Sequence, residues 1–183
     1  MEDISLHILD IAENSINAGA TLVQILLTED RGKNLFSVVI KDNGKGIPSE
    51  ILAEVLNPFY TTRTTRKIGL GLSLLAQSAK ETGGSITIES KEHEGTVVNA
   101  DFKPSHVDMK PLGNIADTLI VLITGNPQID FVFSYTRNND TFSFDTREIK
   151  SELGGIPINS PPVIAAIRHS MIKSLDDMKR EVG

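Results

Sequence analysis

A glycine-rich loop, DNGKGIP at 42–48, directly follows a strand pattern at 35–41 and turns the chain sharply at the strand's end. Glycines at 44 and 46 permit positive φ and allow a ligand to approach the backbone closely. Asp42, the first residue of the loop, can accept a hydrogen bond from an amino group such as that of adenine. The same letters are common in a simple turn, so the loop alone leaves both interpretations open.

The residues before this loop predict an amphipathic helix over 3–18, because apolar side chains recur at spacings of three and four. On its polar side, Asp10 and Asn14 are four residues apart, Glu13 lies beside them, and Asn17 follows one turn later. Residues at i and i+4 share a helix face, and a carboxylate with an amide oxygen suits Mg²⁺. A solvated polar face is the alternative interpretation for this helix on its own.

A Gly-Leu-Gly-Leu sequence at 69–72 opens another predicted helix, which ends near the glycine pair at 83–84. Backbone N–H groups at a helix N-terminus, together with the positive end of the helix dipole, can hold phosphate. A lone Gly-x-Gly is a weak signal. The run TTRTTRK at 61–67 precedes it and is either a phosphate-facing lid or a solvated loop.

Alternation and turn residues predict the remaining elements. Strands are predicted at 21–29, 35–41, 85–90 and 96–102, a short helix at 49–55, and a loop at 57–68. Residues 105–183 are predicted to form a small C-terminal α/β unit: a helix or buried strand at 115–123, strands at 130–135 and 141–146, and a final helix at 163–179. This unit contains no motif that indicates a chemistry.

Composition excludes several classes of function. A net charge of −6 over 183 residues argues against a general nucleic-acid or anionic-membrane binder. The absence of cysteine excludes disulfides, thiolate zinc sites, iron–sulfur clusters and cysteine nucleophiles. The opening residues carry acids where a signal peptide would carry bases, and no apolar run approaches the ~20 residues that span a bilayer. We therefore expect a soluble cytoplasmic protein without membrane contact.

Taken in order, the motifs resemble those of the Bergerat-fold (GHKL) ATPases, which include gyrase-type topoisomerases, MutL mismatch-repair proteins and sensor histidine kinases. The opening ENSINAGAT is similar to the MutL form of the first box, whereas NPFYTT, GLGLSL, TGG and GT at 57–96 are more similar to a histidine-kinase catalytic domain. The resemblance covers roughly residues 3–103. It implies an α+β fold over 1–104, a two-layer α/β sandwich with a mixed sheet and helices on one face, followed by the unit at 105–183.

The resemblance also implies a site for ATP and Mg²⁺. Asn14 would be the Mg²⁺ ligand, and Asp10 would stand where many relatives have a water-activating Glu. A register shifted by one turn, with Glu13 and Asn17 in these roles, stays open. Asp42 would bind the adenine amino group, assisted by Thr96 through water. The other implied ATP-binding residues are Gly44, Gly46 and Ile47 around the adenine, Thr61, Thr62, Arg66 and Lys67 in the lid, and Gly69, Leu70, Gly71 and Leu72 at the phosphates.

The resemblance implies a kinase or ATPase that acts on another protein. A histidine kinase carries its phosphoacceptor histidine on a dimerising hairpin before the first box, and here that box begins within ten residues of Met1. We therefore expect no such hairpin, a separate protein partner or phosphoacceptor, and a homodimer as an open option. His7 is predicted to be a surface or partly packed residue and not the acceptor. The alternatives are a nucleotide-switched binding protein, an anti-sigma-like serine kinase and, less favoured, a MutL-like repair ATPase.

Overall fold

The computed structural model describes residues 3–55 and 70–180. Their helices are α1 (Ile4–Asn17), α2 (Ser49–Val55), α3 (Leu70–Glu81), α4 (Ile115–Gly125), α5 (Thr146–Glu152) and α6 (Pro161–Arg180). Their strands are β1 (Leu22–Asp30), β2 (Leu35–Asp42), β3 (Ser85–Lys91), β4 (Gly95–Phe102), β5 (Asp130–Arg137) and β6 (Asp140–Asp145). The predicted helices and strands of these segments are present within a few residues of their expected bounds, and the predicted loop at 57–68 lies outside the described residues.

The strands form one mixed sheet in the order β3-β4-β2-β1-β5-β6. β1 and β5 run parallel, whereas the other neighbours are antiparallel. The registers align one row of side chains across the four central strands, formed by Phe131, Val23, Asp42 and Thr96. Asp42 therefore lies between an apolar neighbour on β1 and a hydroxyl-bearing neighbour on β4.

Burial alternates along the strands, so one face of the sheet supplies the core. On β1 the buried residues are Val23, Ile25 and Leu27, and the residues between them are half-buried or exposed. α1 packs on α3 and α4, and α4 packs on α6, over this same buried face. The predicted two-layer α/β sandwich with a mixed sheet is confirmed. Within the described residues, none of the helices has the length and apolar character that crossing a bilayer requires.

Local hydrogen bonds define both ends of α1. At its start, the Asp3 side chain accepts from the Leu6 amide. The first two amides of the helix, those of Ile4 and Ser5, donate to the carbonyls of Pro111 and Leu112. At its end, Gly19 has a φ of +78°. The amides of Gly19 and Ala20 donate to carbonyls of the last turn of the helix, which is a Schellman arrangement. The chain therefore leaves α1 directly into β1.

Residues 105–180, the described part of the predicted C-terminal α/β unit, share the sheet and the core with the rest of the described chain. β5 pairs with β1, and α4 packs against α1. The ambiguous segment at 115–123 is a helix, buried along one side. The sequence did not predict α5, because its seven residues are too few to show an apolar period. Asp145 caps it, and Thr146 accepts a hydrogen bond from the Phe131 amide.

His7 lies in the contact between α1 and α3 and is only 1% exposed, so the prediction of a surface or partly packed residue is wrong. Its Nε2 is 3.2 Å from the Ser78 hydroxyl, to which Lys110 donates at 2.6 Å. Burial, followed by the positive charge of Lys110, lowers the pKa of His7 to about 4. The imidazole is therefore neutral in the folded protein at neutral pH.

Because the pKa of His7 is near 6.5 when unfolded and about 4 when folded, the unfolded chain binds more protons between these values. We expect the free energy of unfolding to fall by about 2 kcal/mol between pH 7 and pH 5 through this group. Urea denaturation at the two pH values measures the loss in the wild type and in His7→Gln, which cannot titrate. An equal loss in both proteins would contradict the assignment.

Candidate functional site

A pocket opens between the C-terminal half of α1 and the sheet at the end of β2. Its volume is about 650 Å³ including the solvent at its mouth. Apolar side chains form most of its wall and a few polar groups converge on it. The lining residues are Ile11, Asn14, Ser15, Asn17, Ala18, Asp42, Lys45, Gly46, Ile47, Leu72, Thr96 and Val98.

Asp42 is the buried charged group of this pocket, with 8% of its surface exposed. The Ser15 hydroxyl donates to its Oδ2 at 2.7 Å, and the Gly44 amide donates to its Oδ1 at 2.8 Å. An ionised carboxylate has about four acceptor positions, so each oxygen can still accept from a ligand. The side chain is thus fixed in orientation by two neutral donors and keeps its capacity for a third.

The glycine loop after β2 is held on both sides by backbone hydrogen bonds. The Lys45 amide donates to Ala18 O at the end of α1, and the His93 amide of the β3–β4 turn donates to Lys45 O at 2.8 Å. Gly46 has a φ of +70°, and a Cβ at this position would overlap the Lys91 carbonyl oxygen. A side chain is therefore excluded at 46 by both conformation and space.

The start of α3 lies against α1 near the pocket. A Cβ at Gly71 would lie 3.1 Å from the Asp10 Cβ, so the absence of a side chain lets these helices meet closely. Leu72, one residue on, is buried and lines the pocket. The Asp10 carboxylate thus lies beside the first turn of α3.

The structure brings most of the predicted site residues together. Asn14, Asn17, Asp42, Gly46, Ile47, Leu72 and Thr96 line the pocket, Gly44 is bonded to Asp42, and Asp10 and Gly71 are in contact beside it. Glu13 is exposed on α1, outside the pocket lining. Thr61, Thr62, Arg66, Lys67 and Gly69, and the side chain of Leu70, lie outside the described part of the chain. The role of each residue stays a prediction.

Sequence reasoning missed several lining residues, of which Ser15 has the clearest contact. Ser15 is four residues after Ile11 and directly follows Asn14, so the helix period already placed it on the inner face of α1. Its bond to Asp42 joins positions 27 residues apart, and the helix period alone does not show that pairing. Lys45, Ala18 and Val98 were also missed, although Val98 is a regular inward position of β4.

Comparisons with known sequences match this chain to one family. The family described as histidine kinase-, DNA gyrase B-, and HSP90-like ATPase matches residues 2–106. A Rickettsia conorii protein described as an NtrY-like sensor histidine kinase is 29% identical over 110 residues, 60% of this chain and 18% of that protein. The sensor histidine kinase YvrG of Bacillus subtilis is 33% identical over 91 residues, 48% of this chain and 15% of that protein. The matched region is thus a small part of each relative.

Comparison with solved structures finds the same kind of fold. The crystal structure of the N-terminal domain of a DNA repair protein aligns with a TM-score of 0.52, over 78% of this chain and 52% of that chain. The two sequences are 16% identical in this alignment. At this identity the likeness concerns the fold alone.

Because a side chain at Gly46 meets both an unfavourable φ and the Lys91 carbonyl, we expect Gly46→Ala to lower the free energy of unfolding by roughly 3 kcal/mol. Gly154→Ala is the matched control, since Gly154 also has positive φ (+58°) but open space around it. There we expect a loss of about 1 kcal/mol. Chemical denaturation measures both, and equal losses would show that the loop yields to the added methyl group.

Proposed function

This chain belongs to the histidine kinase-, DNA gyrase B-, and HSP90-like ATPase family, and we propose that it binds ATP with Mg²⁺ in the pocket at Asp42 and acts in the cytoplasm on a separate protein. The matched region is of the histidine-kinase type. In this proposal residues 1–104 hold the nucleotide, and residues 105–183 contribute the surface that meets the partner.

The observation that carries this proposal is the buried carboxylate of Asp42 in a largely apolar pocket. Ser15 and Gly44 orient it without neutralising its charge, so it can accept a further hydrogen bond. Adenine offers an exocyclic amino group as the donor and a flat apolar ring for the surrounding walls. Ile11, Ile47, Leu72 and Val98 supply such walls. The pocket thus fits an amino-bearing base.

The polar rim of the pocket fits the rest of a magnesium nucleotide. Asn14 and Asn17 project from the last turns of α1 and line the pocket, and an amide oxygen is a ligand that Mg²⁺ accepts together with phosphates and water. Gly71, at the start of α3, would offer backbone amides to phosphate. Bound Mg²⁺ would neutralise phosphate charge during transfer. Asp10, beside Gly71, is the residue we assign to activation of the attacking group.

The histidine-kinase relatives favour phosphotransfer to a protein side chain as the outcome. Within the described residues, His7 is buried between α1 and α3, so it is unsuited to be a phosphoacceptor. His169 lies on the exposed side of α6, remote in sequence from the pocket. We therefore place the acceptor on a separate protein, with association of two copies of this chain as a further option. The net charge of −6 favours a protein partner over general nucleic-acid binding.

A second candidate function, a nucleotide-switched binding protein, is favoured by the contacts of α1. The carbonyls of Pro111 and Leu112 cap the start of α1, and the Thr118 hydroxyl of α4 donates to Ser5 O at 3.4 Å. A nucleotide bound at the other end of α1 would contact the same helix as the C-terminal segment. In this candidate, ATP changes the affinity for a partner without rapid turnover.

Incubation of the purified protein and a cell extract with γ-labelled ATP separates these functions. Acid-labile label on a protein supports histidine phosphotransfer, and acid-stable label supports serine transfer. Free phosphate alone supports an ATPase without a phosphoacceptor. Tight ATP binding without any product supports the switch. If titration calorimetry with millimolar Mg²⁺ detects no ATP binding, the proposed function is wrong in all these forms.

We expect Asp42→Asn to weaken ATP binding by about 10- to 100-fold, because an amide replaces a charged acceptor with a group that also donates. Titration calorimetry measures the affinity. Asp101→Asn is the matched control: it makes the same chemical change on β4 but on the sheet face away from the helices. Unchanged affinity in a folded Asp42→Asn protein would remove the adenine assignment.

We expect Asn14→Ala to weaken binding of Mg²⁺-ATP about tenfold while changing the affinity for ATP in EDTA much less, because only the metal complex loses a ligand. Calorimetry with and without Mg²⁺ gives both affinities. Asn17→Ala tests the register shifted by one turn. If Asn17→Ala shows the selective loss and Asn14→Ala does not, the metal ligand is Asn17.

A further inference from the structure

The hydrogen-bond geometry around Thr96 points to Ser90 as a positioning residue that makes the pocket selective for bases with an amino group. Ser90 lies on β3, opposite Thr96 of β4, and is not itself part of the pocket lining. In this inference, which rests on the proposed function, Ser90 binds the hydroxyl proton of Thr96. Thr96 then presents only lone pairs to the ligand.

Three groups surround the Ser90 hydroxyl at hydrogen-bond distance. The Ile47 amide, from the end of the glycine loop, donates to it at 2.8 Å. The Gly95 carbonyl oxygen lies 2.9 Å away and can only accept. The Thr96 hydroxyl lies 2.8 Å away and could donate or accept. The hydroxyl thus joins the loop, the β3–β4 hairpin and the pocket wall.

Counting protons fixes the direction of the bond between the two hydroxyls. A serine hydroxyl has one proton and two lone pairs. The Ser90 proton goes to the Gly95 carbonyl, and the Ile47 amide occupies one lone pair. One lone pair remains for Thr96, so Thr96 donates its proton to Ser90. All three contacts are then satisfied at once.

The consequence for the pocket is a wall that only accepts hydrogen bonds. Thr96 and Asp42 are direct cross-strand neighbours on the face that meets the helices. The Asp42 carboxylate has no proton to give, and Thr96 has given its own to Ser90. The amino group of a base can donate hydrogen bonds to these acceptors. A base with an oxo group in the same position brings a third acceptor, and its oxygen stays without a donor.

Ser90 therefore decides between 6-amino and 6-oxo purines without touching either. Replacing it with alanine removes the acceptor for the Thr96 proton. The Thr96 hydroxyl can then rotate and donate toward the pocket, as an oxo group requires. A purely structural loss, such as the unpaired Ile47 amide, would weaken both kinds of purine nucleotide to the same extent. The ratio of the two affinities separates these effects.

Titration calorimetry of ATP and inosine triphosphate, each with Mg²⁺, on the wild type and Ser90→Ala tests the inference. We expect the preference for ATP to fall about tenfold in Ser90→Ala, the size of one hydrogen bond. Ser90→Thr keeps a hydroxyl and should restore the preference. Thr87→Ala, on the exposed opposite face of the same strand, is the matched control and should leave it unchanged.

Each outcome has one meaning. A reduced preference in Ser90→Ala that returns in Ser90→Thr supports the inference. An equal loss of affinity for both nucleotides, or an unchanged preference, overturns it while the proposed ATP site stands. If the wild type binds neither nucleotide, the proposed function fails and this inference fails with it.

Discussion

The hydrogen bond from the Ser15 hydroxyl to the Asp42 carboxylate joins α1 to the end of β2, and the pocket is built around it. A buried carboxylate is costly unless donors replace the water that it loses. Here the donors are a hydroxyl and the Gly44 amide, so hydration is replaced but the charge is not cancelled. A pairing with arginine would have filled the remaining acceptor positions. The neutral donors leave them for a ligand, at some cost in stability.

The glycine loop extends this single contact into a pocket with three connected walls. Its Lys45 amide is bonded to the end of α1, its Lys45 carbonyl to the β3–β4 turn, and its Ile47 amide to Ser90. A shift of any wall therefore moves the loop that lines the pocket. Gly46 helps to make this arrangement possible, because the absence of a side chain there lets the loop contact the hairpin backbone directly. The shape of the pocket and the local stability therefore depend on the same atoms.

The sequence predicted the fold of residues 3–55 and 70–103 well, because the elements have local signals. These are a helix period before Gly19, alternation in β1 and β2, and turn-forming glycines after β2. It also placed Asp42 and Thr96 in one site, through the order of motifs. It could not predict contacts between distant positions, such as Ser15 with Asp42, which arise only when α1 packs on the sheet. The burial of His7 was missed for the same reason, since α3 and Lys110 enclose it.

The C-terminal segment completes α1 rather than adding a separate layer. An α-helix leaves its first amides unpaired, and α1 satisfies two of them with the carbonyls of Pro111 and Leu112, more than 100 positions later in the chain. α4 then runs from Ile115 along α1, and β5 pairs with β1 in the same core. One end of α1 thus depends on residues 111–125 and the other carries Asn14 at the pocket. The helix is therefore a direct physical connection between the pocket and the C-terminal segment.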